Sequence, residues 1–513
     1  MKRLVVAIVA CVAAVGQAAS VSYQPLSFGG EAGNGVFAVD VDGDGSRDLI
    51  ALGRGRISIY RGRRGKVPPY PTTPETVTTG SKAFFADVAD VHPAPGKELV
   101  VLTPNGVSCH VQANGKYDPT PKPVLQCDTV VSLPLLRGAL TRVAWATVDV
   151  LPWNFAFDAD GDGREDLLVA HGGGTNLYLQ TAPGKFAKPI TLPLFPIVYH
   201  SGATDLKADG LSDQKATPVR LELLMRKIER RDVNGDGKLD LACGDVWFAQ
   251  RHAGGFDPVP ATVPGGAQVV PSRQVVDING DGRMDRIAEE NSLDDPFNIL
   301  TRVRYFLADA NGTVPPSPTG TITGQNILVH TALPVHDFDG DKALDFAMLR
   351  TDITATDVGK WVRQSFGEID GDLNIYLFDR SRNRYPRRPA YTKKIRMRFK
   401  VDLQDVMIGG VWERYLGSMM RFEGDYNGDG RLDLLVREKT DMIAIYFNTG
   451  KRRGMFPRRP DVVLDDLPTF SGIDIDDLNG DGASDIVLSS TRSAFGPSFG
   501  RSDVIAVYIS QRK

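Results

Sequence analysis

The chain is short of the residues that most enzyme chemistry needs. Its 513 residues include four cysteines and seven histidines. The histidines are scattered, and no two stand at zinc-site spacing. No H-E-x-x-H or G-x-S-x-G occurs. His171-Gly172-Gly173-Gly174 resembles an oxyanion motif, but no nucleophile elbow accompanies it, so it reads as a turn between two strands. Long amphipathic helical patterns are missing, which points away from bundles and α/β folds. An excess of one charge is missing as well, since the formal net charge is −3.

Long apolar runs are missing too, apart from one near the start. Lys2 and Arg3 precede an apolar stretch from Leu4 to Val15, followed by Gly16-Gln17-Ala18-Ala19-Ser20. That pattern predicts a secretory signal over residues 1–19. It is too short to span a bilayer, which takes about 20 residues. Ile8-Val9-Ala10-Cys11 is a poor lipoprotein box, so lipidation at Cys11 is not expected. The expected location is secreted, periplasmic or cell-surface, with no transmembrane segment in the mature chain.

What the chain has in abundance is one nine-residue pattern, D-x-[D/N]-G-D-x-x-x-D, occurring seven times. The copies begin at Asp40, Asp158, Asp232, Asp277, Asp337, Asp425 and Asp477. Oxygen ligands at positions 1, 3, 5 and 9, with tight turns between, suit Ca²⁺, which takes six to eight oxygens at about 2.3–2.6 Å. The first copy offers the side chains of Asp40, Asp42, Asp44 and Asp48 and the carbonyl of Ser46. The second offers Asp158, Asp160, Asp162, Arg164 (carbonyl) and Asp166, and the third Asp232, Asn234, Asp236, Lys238 (carbonyl) and Asp240. Next come Asp277, Asn279, Asp281, Arg283 (carbonyl) and Asp285, then Asp337, Asp339, Asp341, Ala343 (carbonyl) and Asp345. The last two offer Asp425, Asn427, Asp429, Arg431 (carbonyl) and Asp433, and Asp477, Asn479, Asp481, Ala483 (carbonyl) and Asp485. Up to seven Ca²⁺ ions are therefore expected. Position 6 is Gly in every copy except the Asp337 loop, where Lys342 stands, which predicts that this site is the weakest.

These are not EF-hands. Position 12 never carries the bidentate Glu, and a short apolar run that reads as a strand follows most loops. A degenerate copy, DVADVHPAPGKEL, begins at Asp87 and has lost the inner ligands. Units of this length point to a solenoid, propeller or array. Each unit reads as four short antiparallel strands, the grammar of a β-propeller blade. Eight blades are expected, with seven as the alternative if the degenerate unit is an insertion. The last unit supplies only three strands, and Val21–Phe28 is a spare strand, so the N-terminal strand is expected to close the last blade. Residues 20–513 are then a single propeller domain. Cys109 and Cys127 fall on neighbouring strands or their hairpin in the degenerate unit, so a disulfide between them is expected. Cys243 reads as a buried free thiol.

The loops, the strand after each and the G-x-F hairpin resemble the FG-GAP/VCBS repeat family, which includes the integrin α propeller and many secreted bacterial proteins. The resemblance implies a calcium-stabilised propeller used for adhesion, or for recognition of a carbohydrate or protein. A minority of relatives are enzymes, so a calcium-dependent polysaccharide lyase or hydrolase is the alternative.

Two surfaces are candidates for partners. Basic residues cluster in the hairpins between third and fourth strands: Arg387, Arg388, Lys451, Arg452, Arg453, Arg458 and Arg459. They suit an anionic surface or polymer. In TKKIRMRFK, Lys and Arg alternate with apolar residues, as on an outer edge strand that resists aggregation. On the opposite face, long loops over 351–372 and 402–418 would present Trp361, Arg363, Phe366, Trp412 and Tyr415 to an extracellular polysaccharide or protein ligand.

Overall fold

A computed structural model describes residues 21–512, apart from 30–34, 64–68, 130–150, 202–219, 263–271, 293–299, 326–334, 401–418, 491–503 and some gaps of one to three residues. The expected signal segment, Trp412 and Tyr415 lie outside the described residues.

The apolar run after each loop forms a strand that is buried on both faces. Asp48–Gly53 is buried at every position. Asp166–His171 and Glu98–Thr103 are buried except at their last residue. A strand covered on both sides has no polar alternation to display, which is why these runs are continuous rather than alternating. Each is an inner member of an antiparallel sheet. Gly35–Val39, Asp48–Gly53, Arg56–Tyr60 and Glu75–Thr78 pair in that order. The sheets stand face to face, and the core lies between them. Ile50, Leu52 and Ile57 of this sheet pack in one cluster with Ala86, Val88 and Leu99 of the next.

The result is an all-β propeller of antiparallel blades with almost no helix. Among the described residues six blades stand as separate sheets. Five have four strands, and one gains a fifth where Leu151–Pro152 pairs parallel to Phe85–Ala89. The expectation of eight blades, or of seven, is corrected. The strands from Val335 to Leu464 form one eight-stranded sheet instead of separate blades. The reason is length. Phe366–Tyr376 and Tyr391–Lys400 have 11 and 10 residues. Their ribbon overshoots, and Arg398 reaches Lys439 in a parallel pairing.

Chain closure follows the expectation. Val21–Gly29 pairs antiparallel with Val504–Arg512 along its whole length and completes the last blade. Phe28 is buried there, 4.7 Å from the Tyr60 ring and 6.1 Å from the Tyr70 ring of the first blade. Both chain ends thus share one core cluster with the first blade.

The expected Cys109–Cys127 disulfide is not formed, and among the described residues neither these two nor Cys243 is in a disulfide. Register is the reason. Cys109 lies opposite Lys122, whereas the Cys127 N–H bonds to the Asn105 carbonyl, four residues away along the strand. At about 3.3 Å per residue that offset is roughly 13 Å, well beyond the Cα separation of about 4.4–6.8 Å that a disulfide bridges. Burial pushes the Cys109 thiol up to about 12. Cys109, Cys127 and Cys243 should therefore alkylate in denaturant without prior reduction, and reductant should leave the thermal midpoint unchanged. A mass shift seen only after reduction would contradict this.

Candidate calcium loops

Each loop joins the first and second strands of its unit, and its last Asp is the first residue of the second strand or stands next to it. Those seven aspartates, Asp48, Asp166, Asp240, Asp285, Asp345, Asp433 and Asp485, are almost wholly buried. Each does the same structural job. One carboxylate oxygen accepts the backbone N–H of loop position 2, at 2.8–3.0 Å. The other accepts a backbone N–H at 2.6–2.9 Å, from just past the third strand in six units and from Ser510 within it in the last. A side chain that ties the loop to its own sheet is fixed before any ion arrives.

The first aspartate folds the loop. In all seven, one of its oxygens accepts the N–H of position 6, at 2.7–3.2 Å. The backbone must turn sharply there, and φ is +70° to +87°. Gly meets that demand without strain, whereas Lys342 occupies it at +70°. The chain path of the Asp337 loop is unchanged by this substitution.

The ligand set fits a hard cation. In the Asp40, Asp158 and Asp337 loops, carboxylate oxygens from positions 1, 3 and 9 lie within 4.8 Å of one another. Oxygens placed about 2.4 Å from one ion can be at most about 4.8 Å apart. The Asp339 side chain, at position 3, is 5% exposed and has an oxygen with no hydrogen-bond partner. The remaining four loops carry Asn at position 3, so an amide oxygen replaces a carboxylate there. The donors are all oxygen, which suits Ca²⁺ better than a softer metal.

Burial raises the ninth-position acids. Asp48, Asp166 and Asp285 rise to about 6, Asp433 and Asp485 to about 7, and Asp345 to about 8, desolvation being the main cause in each. The folded chain therefore holds protons that the unfolded chain has released above about pH 4. In chelator, stability should fall as pH rises from about 4 to about 8. Saturating calcium, which takes the ionised form, should flatten that slope. Urea midpoints at pH 5 and pH 8, with and without calcium, check this; a chelated protein that gains stability towards pH 8 would contradict it.

The degenerate copy is in a different frame from the one expected. Ala89 pairs with Glu98 as Val39 pairs with Asp48, so Asp90 is position 1 and Glu98 is position 9. The loop keeps its nine-residue length. Glu98 takes over only the first half of that job: one oxygen accepts the N–H groups of Val91 and His92 at 2.9 and 3.1 Å, and the other makes no bond to the third strand. Asp87 lies upstream in the strand and accepts the N–H groups of Phe155 and Ala156 in the next unit. His92 and Ala94 stand where the inner carboxylates would be.

Sequence reasoning missed a set of clasps between neighbouring loops. The Gln180 amide donates to the carbonyls of Asp90, at 3.0 Å, and Glu165, at 2.7 Å. The Gln112 amide donates to Val41 and to Lys97, and Asn448 to Phe338 at 2.8 Å and Leu432 at 3.1 Å. Each amide sits two residues past a third strand. Its recurrence at that place was the available signal.

Of the residues expected to form an aromatic platform, Trp361, Arg363 and Phe366 are described, and Trp361 does not face solvent. Residues 355–364 form a helix, capped by Thr354 and Asp357, in place of an open loop. Trp361 is 7% exposed and packs edge-on against Phe399 at 5.4 Å. The apolar face of the helix has turned it inward. Arg363 is exposed on the same helix, and Phe366 is 43% exposed at the start of the next strand. His171 and Gly174 pair across a tight hairpin, in keeping with a turn.

The basic residues divide into two groups. Along Tyr391–Lys400, Lys394 pairs with Asp372, Arg396 with Asp370 and Arg398 with Glu368, each at 2.6 Å. In the hairpins, Arg452 alone of the seven expected cations forms ion pairs among the described residues, with Asp339 at 2.9 Å and Asp341 at 3.7 Å.

The chain carries FG-GAP-like repeats at residues 232–288 and 425–488, and each match spans two of the loops. No curated protein sequence matches the chain. Among solved structures it is similar to an Agrocybe aegerita lectin that recognises non-reducing terminal N-acetylglucosamine, at 15% identity and a TM-score of 0.39, covering 92% of this chain and 98% of that one. It is also similar to the V. cholerae biofilm matrix protein Bap1, at 13% identity and a TM-score of 0.27, covering 92% of this chain and 76% of that one. Likeness of this degree says nothing about ligand. Among the described residues no helix is long and apolar enough to cross a membrane.

Proposed function

We propose that the chain is an exported, calcium-loaded β-propeller that recognises an extracellular carbohydrate or protein. The observation that carries this reading is the loop geometry, with its oxygen donors at fixed positions in seven copies. The FG-GAP-like repeats and the propeller fold support it. Outside the cell calcium is abundant, so loops of about 0.1–1 mM affinity stay filled. In this reading the ions stiffen the loop face and the ligand binds the surfaces around them.

A glycan array probed in calcium and again in chelator tests the reading. Selective retention in calcium, with the glycan recovered intact, is the expected result. Shortened or unsaturated products would replace recognition by catalysis. No retention on any glycan, together with no captured extracellular protein, would overturn it.

A further inference from the structure

Two stretches of the chain read alike, Tyr385-Pro386-Arg387-Arg388-Pro389 and Phe456-Pro457-Arg458-Arg459-Pro460. They occupy the same place after the third strand in two neighbouring segments of the long sheet. In each, the aromatic is buried and the two arginines are exposed. The flanking prolines fix their own φ and restrict the residue before each.

The two stretches are stitched together. The Tyr391 hydroxyl donates to the Phe456 carbonyl at 2.7 Å, and the Lys393 ammonium donates to the Pro457 carbonyl at 2.7 Å. Lys393 is itself buried, with its ammonium 3.7 Å from the centre of the Tyr446 ring. The strand that leaves one arginine pair thus grips the turn that carries the other. Among the described residues none of the four arginines forms an ion pair, and neither do the nearby Lys451 and Arg453. This is unlike the strand beside them, where Lys394, Arg396 and Arg398 are each neutralised by an acid. Six exposed, unpaired cations in one sector are not explained by folding.

We propose that this sector docks an anionic polysaccharide, with the twin arginine pairs taking its carboxylates or sulfates. The proposal rests on the recognition reading above and names its ligand class. Guanidinium forks bind such groups bidentately. Proline-held turns lose little entropy on binding. Neither turn exposes an aromatic to stack on a nucleobase or wedge into a bilayer, because Tyr385 and Phe456 are buried. Arg452 also ties the sector to the Asp337 loop, so a cation bound there lowers the negative charge beside the arginines.

The test compares wild type with two variants, all in calcium and all checked for an unchanged melting curve. One variant carries Arg387→Ser, Arg388→Ser, Arg458→Ser and Arg459→Ser. The other carries Lys394→Gln, Arg396→Gln and Arg398→Gln. Heparin and hyaluronan are the polysaccharide probes, and duplex DNA and phosphatidylglycerol vesicles are the alternatives. Wild type should bind a polysaccharide in a salt-sensitive manner. The arginine variant should bind at least about 30-fold more weakly, a difference that several charge-assisted bonds account for, and the strand variant within about 3-fold. No polysaccharide binding by wild type, equal binding by the arginine variant, or tighter binding to DNA or vesicles would overturn the proposal. A neutral glycan bound equally by wild type and the arginine variant would keep the recognition reading and overturn this inference alone.

Discussion

Asp433→Ala should unfold more easily than wild type whether or not calcium is present. Its carboxylate is fully buried and accepts two backbone N–H groups, from Tyr426 at 2.8 Å and from Asn448 at 2.7 Å. Alanine leaves both donors buried without partners. Each orphaned group costs about 1–3 kcal/mol, so the loss is roughly 2–6 kcal/mol. Removing a buried carboxylate also relieves its desolvation, which has raised Asp433 to about 7, so the lower part of that range applies at pH 8. Asp429→Ala is the contrast. Asp429 is exposed and bonds to Arg431 within its own loop. It should weaken calcium binding yet match wild type in chelator to within about 1 kcal/mol. Denaturant unfolding of both variants in calcium and in chelator separates the structural and ligand roles. Equal behaviour of the two in chelator would sink the distinction.

Calcium removal should have the larger effect on the whole chain. An ion that binds only the folded loop stabilises it by about 1.4 kcal/mol when its concentration is ten times Kd. Seven filled loops would contribute on the order of 10 kcal/mol. That exceeds what most single substitutions change, so chelation should lower the thermal midpoint by many degrees. The physical source is repulsion. Positions 1, 3 and 9 of the Asp40, Asp158 and Asp337 loops place three carboxylates within 4.8 Å. Magnesium should substitute poorly, since it demands shorter bonds and near-octahedral geometry. An unchanged midpoint in chelator would leave the loops as hydrogen-bonded turns only.

Much of this was legible in the sequence because the repeat carries its own ruler. The oxygen spacing, the Gly at position 6 and the apolar run after each loop are local signals, and all led to the hairpin that is observed. Closure by Val21–Gly29 was legible for a different reason: the last unit lacked a strand and the first residues had none to join. What was not legible depends on register and on burial. Cys109 and Cys127 looked adjacent, but a four-residue offset keeps them apart. Trp361 looked like a platform in a loop, but a capped helix carried it inward. The blade count failed because two long strands join what the repeat spacing separates. The frame of the degenerate copy was misread because Asp87 imitates position 1, and only the pairing of Ala89 with Glu98 sets it right.

The basic residues show the same limit. Sequence placed them in one sector but could not divide them. Acids at Glu368, Asp370 and Asp372 neutralise the Tyr391–Lys400 strand from across the ribbon, and nothing comparable faces Arg387, Arg388, Arg458 and Arg459 among the described residues.

The most direct test of the calcium assignment is stoichiometry. Purified chain is dialysed against chelator-treated buffer containing 2 mM calcium, and the protein-bound metal is counted by elemental analysis. The loops predict close to seven calcium ions per chain, falling by about one in Asp429→Ala. Fewer than two per chain, with no change in the variant, would contradict the assignment.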